Sequence, residues 1–158
     1  MKVNKPPKPL DECSFENSLF FAGSIEMGRA IDWQKTIEEE LKNHNGNIFN
    51  PRRDDWDSSW KQDIKNDQFR EQVEWELGAL EKCNYILMYY APNTISPISL
   101  LEMGLHANSG KMIVCCPEGY ERKGNVDIVC NRYNIPIIDD IKSLIGFVKL
   151  MMKYHEKG

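Results

Sequence analysis

The sequence contains few of the side chains that hold transition metals in proteins. It has only three histidines, at positions 44, 106 and 155, and they form no H-E-x-x-H pattern. Its five cysteines include no C-x-x-C pair and no other paired spacing typical of a zinc site. We therefore expect neither a catalytic nor a structural metal. The odd number of cysteines is typical of reduced thiols that lie mostly in the core.

The sequence also lacks an excess of basic residues and any long apolar segment. The 158-residue chain has a formal net charge of -4, whereas a surface that binds nucleic acid needs clustered Lys and Arg. The longest apolar runs fall well short of the ~20 residues that a transmembrane helix requires. The first residues, MKVNKPPKPLDECS, contain no apolar signal core. The composition predicts a cytoplasmic protein that binds neither membranes nor nucleic acid.

What the sequence does contain is a regular alternation of short apolar segments and amphipathic ones. With 41% hydrophobic residues, the chain is long enough for one domain with a real core. We predict strands at 18–22, 47–50, 85–90, 111–116 and 135–138, and helices at 31–41, 68–80, 97–107, 126–133 and 140–155. This order predicts an α/β fold, a flavodoxin-like or Rossmann-like three-layer sandwich with about five parallel strands. Residues 18–158 would form this single domain, and the Pro/Lys-rich residues 1–17 would form a loosely ordered lead-in.

One acidic residue, Glu102, is unusual because its neighbours in the sequence are apolar. It follows the apolar segment 85–90 and a polar turn, on a helix that Ser96 would cap and Pro97 would begin. In an open α/β sheet this position lies near the carboxyl end of a strand, where ligands bind. Two interpretations remain open: Glu102 is a catalytic carboxylate, or it completes a capping box with Ser99 or is simply solvated. Pro97 argues against the capping box, because it places the cap at Ser96, three residues too early.

A second acidic residue, Glu76, falls within the apolar stripe of another predicted helix. It lies three residues after Val73 and four before Leu80, so a helix would place all three side chains on one face. A buried glutamate must be paired, neutralised or used. Two carboxylates that face one cleft are the groups that cleave glycosidic bonds: one attacks or stabilises the sugar and the other moves a proton.

Two polar segments allow either a ligand-binding or a purely structural interpretation. The turn at 23–28, GSIEMG, is either an anion-binding backbone turn or an ordinary connection between a strand and a helix. Residues 50–60, NPRRDDWDSSW, combine two tryptophans with clustered charges. They suit a lid in which Trp56 stacks on a flat ligand while Arg or Asp side chains bind its polar edges. The alternative is a helix entry capped by Asp54 or Asp57.

Five segments of the sequence together match a known family pattern: LFFAGS at 19–24, NPRRDDW at 50–56, WELGALEKCNYILMYY at 75–90, SPISLLEMGLHA at 96–107 and GNVD at 124–127. They resemble the nucleoside 2-deoxyribosyltransferase superfamily, which includes nucleoside 5'-phosphate N-hydrolases, and within it a small branch from phages and bacteria. The resemblance implies cleavage or exchange of the N-glycosidic bond of a nucleoside or its 5'-monophosphate. It implies no cofactor, because a carboxylate is the nucleophile.

The resemblance also implies roles for single positions. Glu102 matches the nucleophile that attacks C1' of the sugar, and Glu76 matches an Asp that contacts the base and assists its departure. Ser96 matches a Ser of the 5'-phosphate hydrolases, where transferases of free nucleosides have an Asp that would repel a phosphate. Asn125 matches an Asn that reaches the sugar of a neighbouring subunit, which implies a homodimer or larger homo-oligomer. The substrate contacts expected are, in full, Phe20, Gly23, Ser24, Arg52, Asp54, Asp55, Trp56, Ser96, Ser99 and Asn125.

The sequence departs from the family pattern at two positions that bear on the substrate. The family often has a Tyr in the first strand that supports the nucleophile, where this chain has Phe20 or Phe21, so both ribose and deoxyribose remain open. The absence of Asp at position 96 leaves transfer to a free base open alongside hydrolysis. Two other functions also remain open. A TIR-like NAD glycohydrolase would release nicotinamide from NAD, and a non-catalytic nucleotide-binding module would bind a nucleotide without releasing base.

Overall fold

Six parallel strands form one central sheet in the part of the chain that the structure describes. The structure, a computed structural model, describes residues 1–25, 32–57 and 59–155. The strands are β1 Lys2–Asn4, β2 Ser18–Gly23, β3 Asn47–Phe49, β4 Tyr85–Tyr89, β5 Met112–Cys115 and β6 Ile137–Ile138. They lie in the order β1-β3-β2-β4-β5-β6, and each neighbouring pair is parallel. The predicted α/β fold is confirmed, and β1 adds an edge strand to the five predicted.

Helices cover both faces of this sheet. They are α1 Trp33–Leu41, α2 Asp67–Lys82, α3 Pro97–His106, α4 Lys123–Tyr133 and α5 Ile141–His155. Alternate residues of β2 face opposite sides, so Leu19 and Phe21 pack with α1 and α5 while Phe20 packs with α2, α3 and α4. The predicted start of the first helix at Ile31 lies outside the described residues. Within the described ranges, no helix is both long and apolar enough to cross a membrane.

The first 17 residues pack against the domain, which differs from the expectation of a loosely ordered lead-in. β1 pairs with β3 in register from Lys2 to Asn4. The ring of Phe15 stacks on Phe49 with 4.4 Å between centroids, and the indole of Trp75 donates to the carbonyl of Lys8 at 2.8 Å. The Pro/Lys-rich composition did not indicate these contacts. A few apolar side chains are enough to hold a short segment against a core, even when most of its residues are polar.

The carboxyl ends of β2 and β4 meet at the centre of the sheet, where the strand order reverses. The chain passes from β2 outward to β3 and returns on the other side of β2 as β4. Ligands bind at such switch points in open α/β sheets, because the two connections diverge and leave a crevice. The segments that follow β2 and β4 therefore define the region in which a site is expected.

Candidate active site

Two glutamates from neighbouring helices lie on the same face of the sheet. Glu102 projects from the middle of α3 and is only 8% exposed. Glu76 projects from the middle of α2 and is half-buried. The two are close enough for the charge of Glu76 to act on Glu102. The structure thus brings together the two carboxyls that the sequence singled out.

Burial raises the pKa of both carboxyls. The pKa of Glu102 rises to about 8, chiefly through desolvation and also through repulsion by Glu76. Desolvation raises the pKa of Glu76 to about 7, although a hydrogen bond from Gln72 acts in the opposite direction. The pair therefore retains a proton near neutral pH, where exposed glutamates are ionised. One ionised and one protonated carboxyl is the combination that cleavage of a glycosidic bond needs.

The capping-box interpretation of Glu102 does not fit the structure. α3 begins at Pro97 with Ser96 at the N-cap position, so Ser99 lies inside the helix and caps nothing. Among the described residues, no hydrogen bond contributes to the pKa of the Glu102 carboxyl. The predicted capping bond of Ser96 is also wrong, because the Ser96 side chain makes no bond to the first amides of α3.

Three buried hydroxyls, those of Ser24, Thr94 and Ser96, contact one another beside the ends of β2 and β4. The Oγ of Ser24 lies 2.6 Å from the Oγ of Ser96 and 3.0 Å from the Oγ1 of Thr94, and the last two atoms lie 3.1 Å apart. Ser24 Oγ accepts from the amide of Ala91 at 2.9 Å, and Thr94 Oγ1 donates to the carbonyl of Ala91 at 2.8 Å. We call these three side chains the hydroxyl cluster. Because the Ser96 hydroxyl is bonded to Ser24 and Thr94, it does not cap α3.

The backbone around the hydroxyl cluster adopts conformations that few residues favour. Ser96 has φ 45° and ψ 57°, in the left-handed region. Gly23 has φ 132°, and a Cβ there would lie 2.1 Å from the carbonyl oxygen of Tyr89, so only glycine fits. Backbone strain of this kind collects at functional sites. Residues 26–28 of the predicted turn GSIEMG lie outside the described residues.

The loop between β3 and α2 contains no described helix, so the predicted helix entry capped by Asp54 or Asp57 is wrong. α2 begins at Asp67 instead, and its cap is Asn66, whose Oδ1 accepts from the amide of Phe69 at 2.9 Å. The stretch that separates Asp57 from this cap is too rich in charged and polar side chains to bury a helical face.

Arg53 anchors this loop to α2. Its almost completely buried side chain forms ion pairs with Asp55 at 2.8 Å and with Glu71 of α2 at 3.4 Å. Its guanidinium also lies 5.0 Å from the ring centroid of Trp60, against which the exposed Trp56 packs edge-on. The predicted contacts Asp55 and Trp56 are therefore held in place by protein contacts, with the Trp56 ring still accessible to a flat ligand.

A polar cleft of about 340 Å³ lies beside the same loop. Arg52 pairs there with Asp32 at 3.2 Å, and Asp54 pairs with Lys5 at 2.9 Å. The full lining is Lys5, Asp32, Lys35, Glu38, Glu39, Asn50, Arg52 and Asp54. The two predicted contacts in this cleft are thus separate from Glu76 and Glu102, which do not line it.

The remaining predicted contacts lie in three different environments. Phe20 is completely buried in the core and has no exposed surface for a ligand. Ser99 is buried one turn before Glu102, and its carbonyl accepts from the phenol of Tyr90 at 3.2 Å. Asn125 lies exposed on α4. Glu102 and Ser99 thus share one turn of α3, whereas Asn125 faces solvent.

Sequence reasoning missed Thr94 and Gln72 as site residues. Thr94 lies in the polar turn before α3, and its hydroxyl completes the cluster with Ser24 and Ser96. Gln72 lies four residues before Glu76, so helical spacing alone places it beside that carboxyl. A search for polar residues one turn from each candidate carboxylate would have found Gln72.

Comparisons with known proteins agree with this architecture. A family model described as "Nucleoside 2-deoxyribosyltransferase like" matches residues 16–120, which is more than half of the chain. The crystal structure of a conserved protein from Enterococcus faecalis V583 superposes with a TM-score of 0.61 at 11% identity, covering 85% of this chain and 98% of the other. That likeness shows the fold. No curated protein matches the chain significantly in sequence.

Proposed function

Because the chain belongs to the nucleoside 2-deoxyribosyltransferase-like family, we propose that it cleaves or exchanges an N-glycosidic bond through a covalent ester between Glu102 and C1' of the sugar. The substrate would be a nucleoside or its 5'-monophosphate. The observation that carries the proposal is the pair of carboxyls formed by the buried Glu102 and the half-buried Glu76, whose pKa values are both raised and which interact electrostatically. Carboxyls whose pKa values are strongly raised occur preferentially at active sites.

The proposed reaction divides the work between the two carboxyls. The pKa of Glu102 lies above that of Glu76, so the reaction starts from the less populated form of the pair, in which the proton lies on Glu76 and Glu102 is ionised. In that form Glu102 attacks C1', the bond from C1' to the base nitrogen breaks, and the proton of Glu76 passes to the departing base. Water or a second base then attacks C1' of the glycosyl ester, the bond from C1' to the Glu102 oxygen breaks, and Glu102 leaves as the carboxylate. Attack by water gives the free sugar or its 5'-phosphate, and attack by a second base gives a new nucleoside or nucleotide. The ionised Glu76 can accept the proton of that second nucleophile.

The hydroxyl cluster supports binding of the 5' end of the substrate. Each hydroxyl carries one proton, and Thr94 gives its own to the carbonyl of Ala91. The protons of Ser24 and Ser96 serve the contacts within the cluster, and rotation about one C–O bond can turn one of them toward a ligand oxygen while the other keeps the 2.6 Å contact between Ser24 and Ser96. A hydroxyl donor with no carboxylate beside it suits a phosphate better than an Asp at position 96 would.

We predict that Ser96→Asp raises KM for a nucleoside 5'-monophosphate by at least about tenfold, because like charges placed together repel. KM for the unphosphorylated nucleoside should change much less, which steady-state kinetics with both substrates will measure. Ser96→Asn is the matched control, since Asn has the same shape without the charge and both residues tolerate the left-handed backbone. An equal change in both KM values for Ser96→Asp would contradict a phosphate at this cluster.

An exposed apolar stripe on α3 supports assembly into a homodimer or larger homo-oligomer. Ile98, Leu101 and Leu105 follow one another at helical spacing and are all largely exposed. On α4, the exposed Ile128 lies three residues after Asn125, so the two share a face. Contiguous exposed apolar side chains mark interaction surfaces. We propose that a second copy of the chain covers this stripe, which would also shield the exposed face of α4 that carries Asn125.

We predict that Leu101→Glu weakens this assembly by at least about tenfold in its dissociation constant, because it buries a charge in an apolar interface. Sedimentation equilibrium measures the change. The matched control is Leu150→Glu on α5, since Leu150 and Leu101 are 59% and 60% exposed. Dissociation by Leu150→Glu, with Leu101→Glu still assembled, would place the interface on α5 instead.

A substrate panel tests the proposed function. The protein is incubated with nucleosides, nucleoside 5'-monophosphates and NAD, and free base is measured by chromatography. Base release from a nucleoside or its monophosphate is expected, and a second free base in the mixture separates exchange from hydrolysis. Release of nicotinamide from NAD alone, or binding without any release, would contradict the proposal.

A further inference from the structure

The side-chain amide of Gln72 lies between Glu76 and the loop that follows β3. Its Nε2 donates to the Oε1 of Glu76 at 2.6 Å and to the carbonyl of Pro51 at 2.9 Å. Both partners are acceptors, so a flipped amide would place its own oxygen against them. The orientation of the amide is therefore fixed, with the nitrogen toward Glu76.

The other end of the amide is left without a partner. Gln72 is 4% exposed, and its Oε1 has no hydrogen-bond partner within the described ranges. A buried carbonyl without a partner is costly, whereas leucine would fill a similar volume with no such cost. A buried polar atom that has no hydrogen-bond partner on a packed helix face needs a functional explanation.

We propose that Gln72 is a positioning residue that holds Oε1 of Glu76 as an acceptor and thereby confines the transferable proton to Oε2. This inference rests on the proposed function only where it makes Glu76 the proton donor to the base. An oxygen that accepts a short bond from an amide N–H is a poor place for a proton, so protonated Glu76 carries its hydrogen on the other oxygen.

The same contact serves both halves of the proton transfer. As the bond between C1' and the base breaks, the proton leaves Oε2 for the base nitrogen, and the electrons of the O–H bond stay on the carboxyl. The negative charge that develops is shared with Oε1, where the Gln72 amide stabilises it. Because Nε2 also binds Pro51, the carboxyl is held in a fixed position relative to the loop that carries Trp56.

The groups that face Glu76 make its protonation a sensitive readout. Its pKa reflects desolvation and the hydrogen bond from Gln72 on its own helix, and from α3 it faces the acidic Glu102. Within the described ranges, no cation is among the causes of either shift. Removal of the amide donor therefore acts on a carboxyl that has no other stabilising partner there.

The direct test is a pH titration of the Glu76 carboxyl by ¹³C NMR on protein labelled at the glutamate side-chain carboxyls, with the signal assigned by its loss in Glu76→Gln. In Gln72→Leu the titration should move to higher pH by about one unit. Gln72→Met, whose unbranched side chain follows the path of Gln, should shift it in the same direction. An unchanged titration in folded Gln72→Leu and Gln72→Met would overturn the proposal.

The matched control is Gln34→Leu. Gln34 lies on α1, on the opposite face of the sheet, is 1% exposed, and has two amide atoms without partners within the described ranges. Its replacement should leave the Glu76 titration where it is in the unmodified protein. If Gln34→Leu shifts the Glu76 titration as much as Gln72→Leu does, the shift comes from general repacking of the core, and the proposal is overturned.

Activity provides the second readout. In Gln72→Leu both limbs of the pH profile of kcat should move to higher pH, and kcat should fall at least about tenfold with a smaller change in KM. A fall in activity without movement of the pH profile would overturn the positioning role. If the unmodified protein releases no base but the NMR shift is found, the proposed reaction fails while the action of Gln72 on Glu76 stands.

Discussion

Glu102→Gln is expected to lower base release by at least about 10³-fold, because it removes the nucleophile while keeping the shape of the side chain. Glutamine occupies nearly the same volume in the buried site, so α3 should remain folded and the substrate should still bind. The measurement is single-turnover base release at saturating protein, which separates loss of chemistry from loss of binding. Activity within about tenfold of the unmodified enzyme would remove Glu102 from its proposed role.

Glu76→Gln separates the two proposed roles. It should slow the release of an ordinary base by about 10²-fold or more, because the base then leaves without its proton. A substrate whose leaving group needs no proton should restore the first-turnover release of the leaving group to Glu76→Gln, and should not restore it to Glu102→Gln. Restoration of Glu102→Gln instead would exchange the assignments of the two carboxyls.

The second large effect is on stability, and it depends on pH. The folded protein raises the pKa of Glu102 from an ordinary value of 4.5 to about 8. Between these values the folded state holds a proton that the unfolded chain has released, so the free energy of unfolding falls as pH rises from about 4.5 to about 8. Glu102→Gln removes this penalty and should raise the free energy of unfolding at pH 8 by about 2 kcal/mol or more.

The gain should be much smaller at pH 5, where the carboxyl of Glu102 is still protonated in the folded protein. Denaturant unfolding at pH 5 and pH 8 measures both values. The control is Glu74→Gln, on the exposed face of α2, which should change the free energy of unfolding by less than about 0.5 kcal/mol at either pH. An equal increase in the free energy of unfolding of Glu102→Gln at both pH values would show that folding does not raise the pKa of the Glu102 carboxyl. A variant that is more stable and inactive is the expected trade-off at an active site.

Local patterns in the sequence were sufficient to find the two carboxyls. Glu102 and Glu76 each interrupt an apolar helix stripe, and the 3.6-residue period places such side chains toward the core without any knowledge of the fold. The strand preceding Glu102 and the strand–helix alternation then locate it at the carboxyl edge of a parallel sheet. Both steps use residues that are close in the chain, which is why they succeeded.

Contacts between distant segments were not accessible in the same way. Ser24 and Thr94 lie 70 residues apart, and their contact depends on β2 and β4 being neighbours. The roles of Arg52 and Arg53 differ because one side chain points to a polar cleft and the other is buried against α2. Two adjacent residues of the same type give no local signal for that difference. The pairing of β1 with β3 could not be predicted for a similar reason, since the two strands lie more than 40 residues apart in the sequence.

The most direct test of the account is a search for the sugar on the protein. Glu76→Gln is mixed with a nucleotide whose leaving group needs no proton, so that the ester forms while its breakdown is slow for lack of a base to activate water. Acid quenching and peptide mapping by mass spectrometry should then find one added glycosyl group, on the peptide that contains Glu102. Stoichiometric release of the leaving group with no adduct, or with an adduct on a residue other than Glu102, would contradict the central claim.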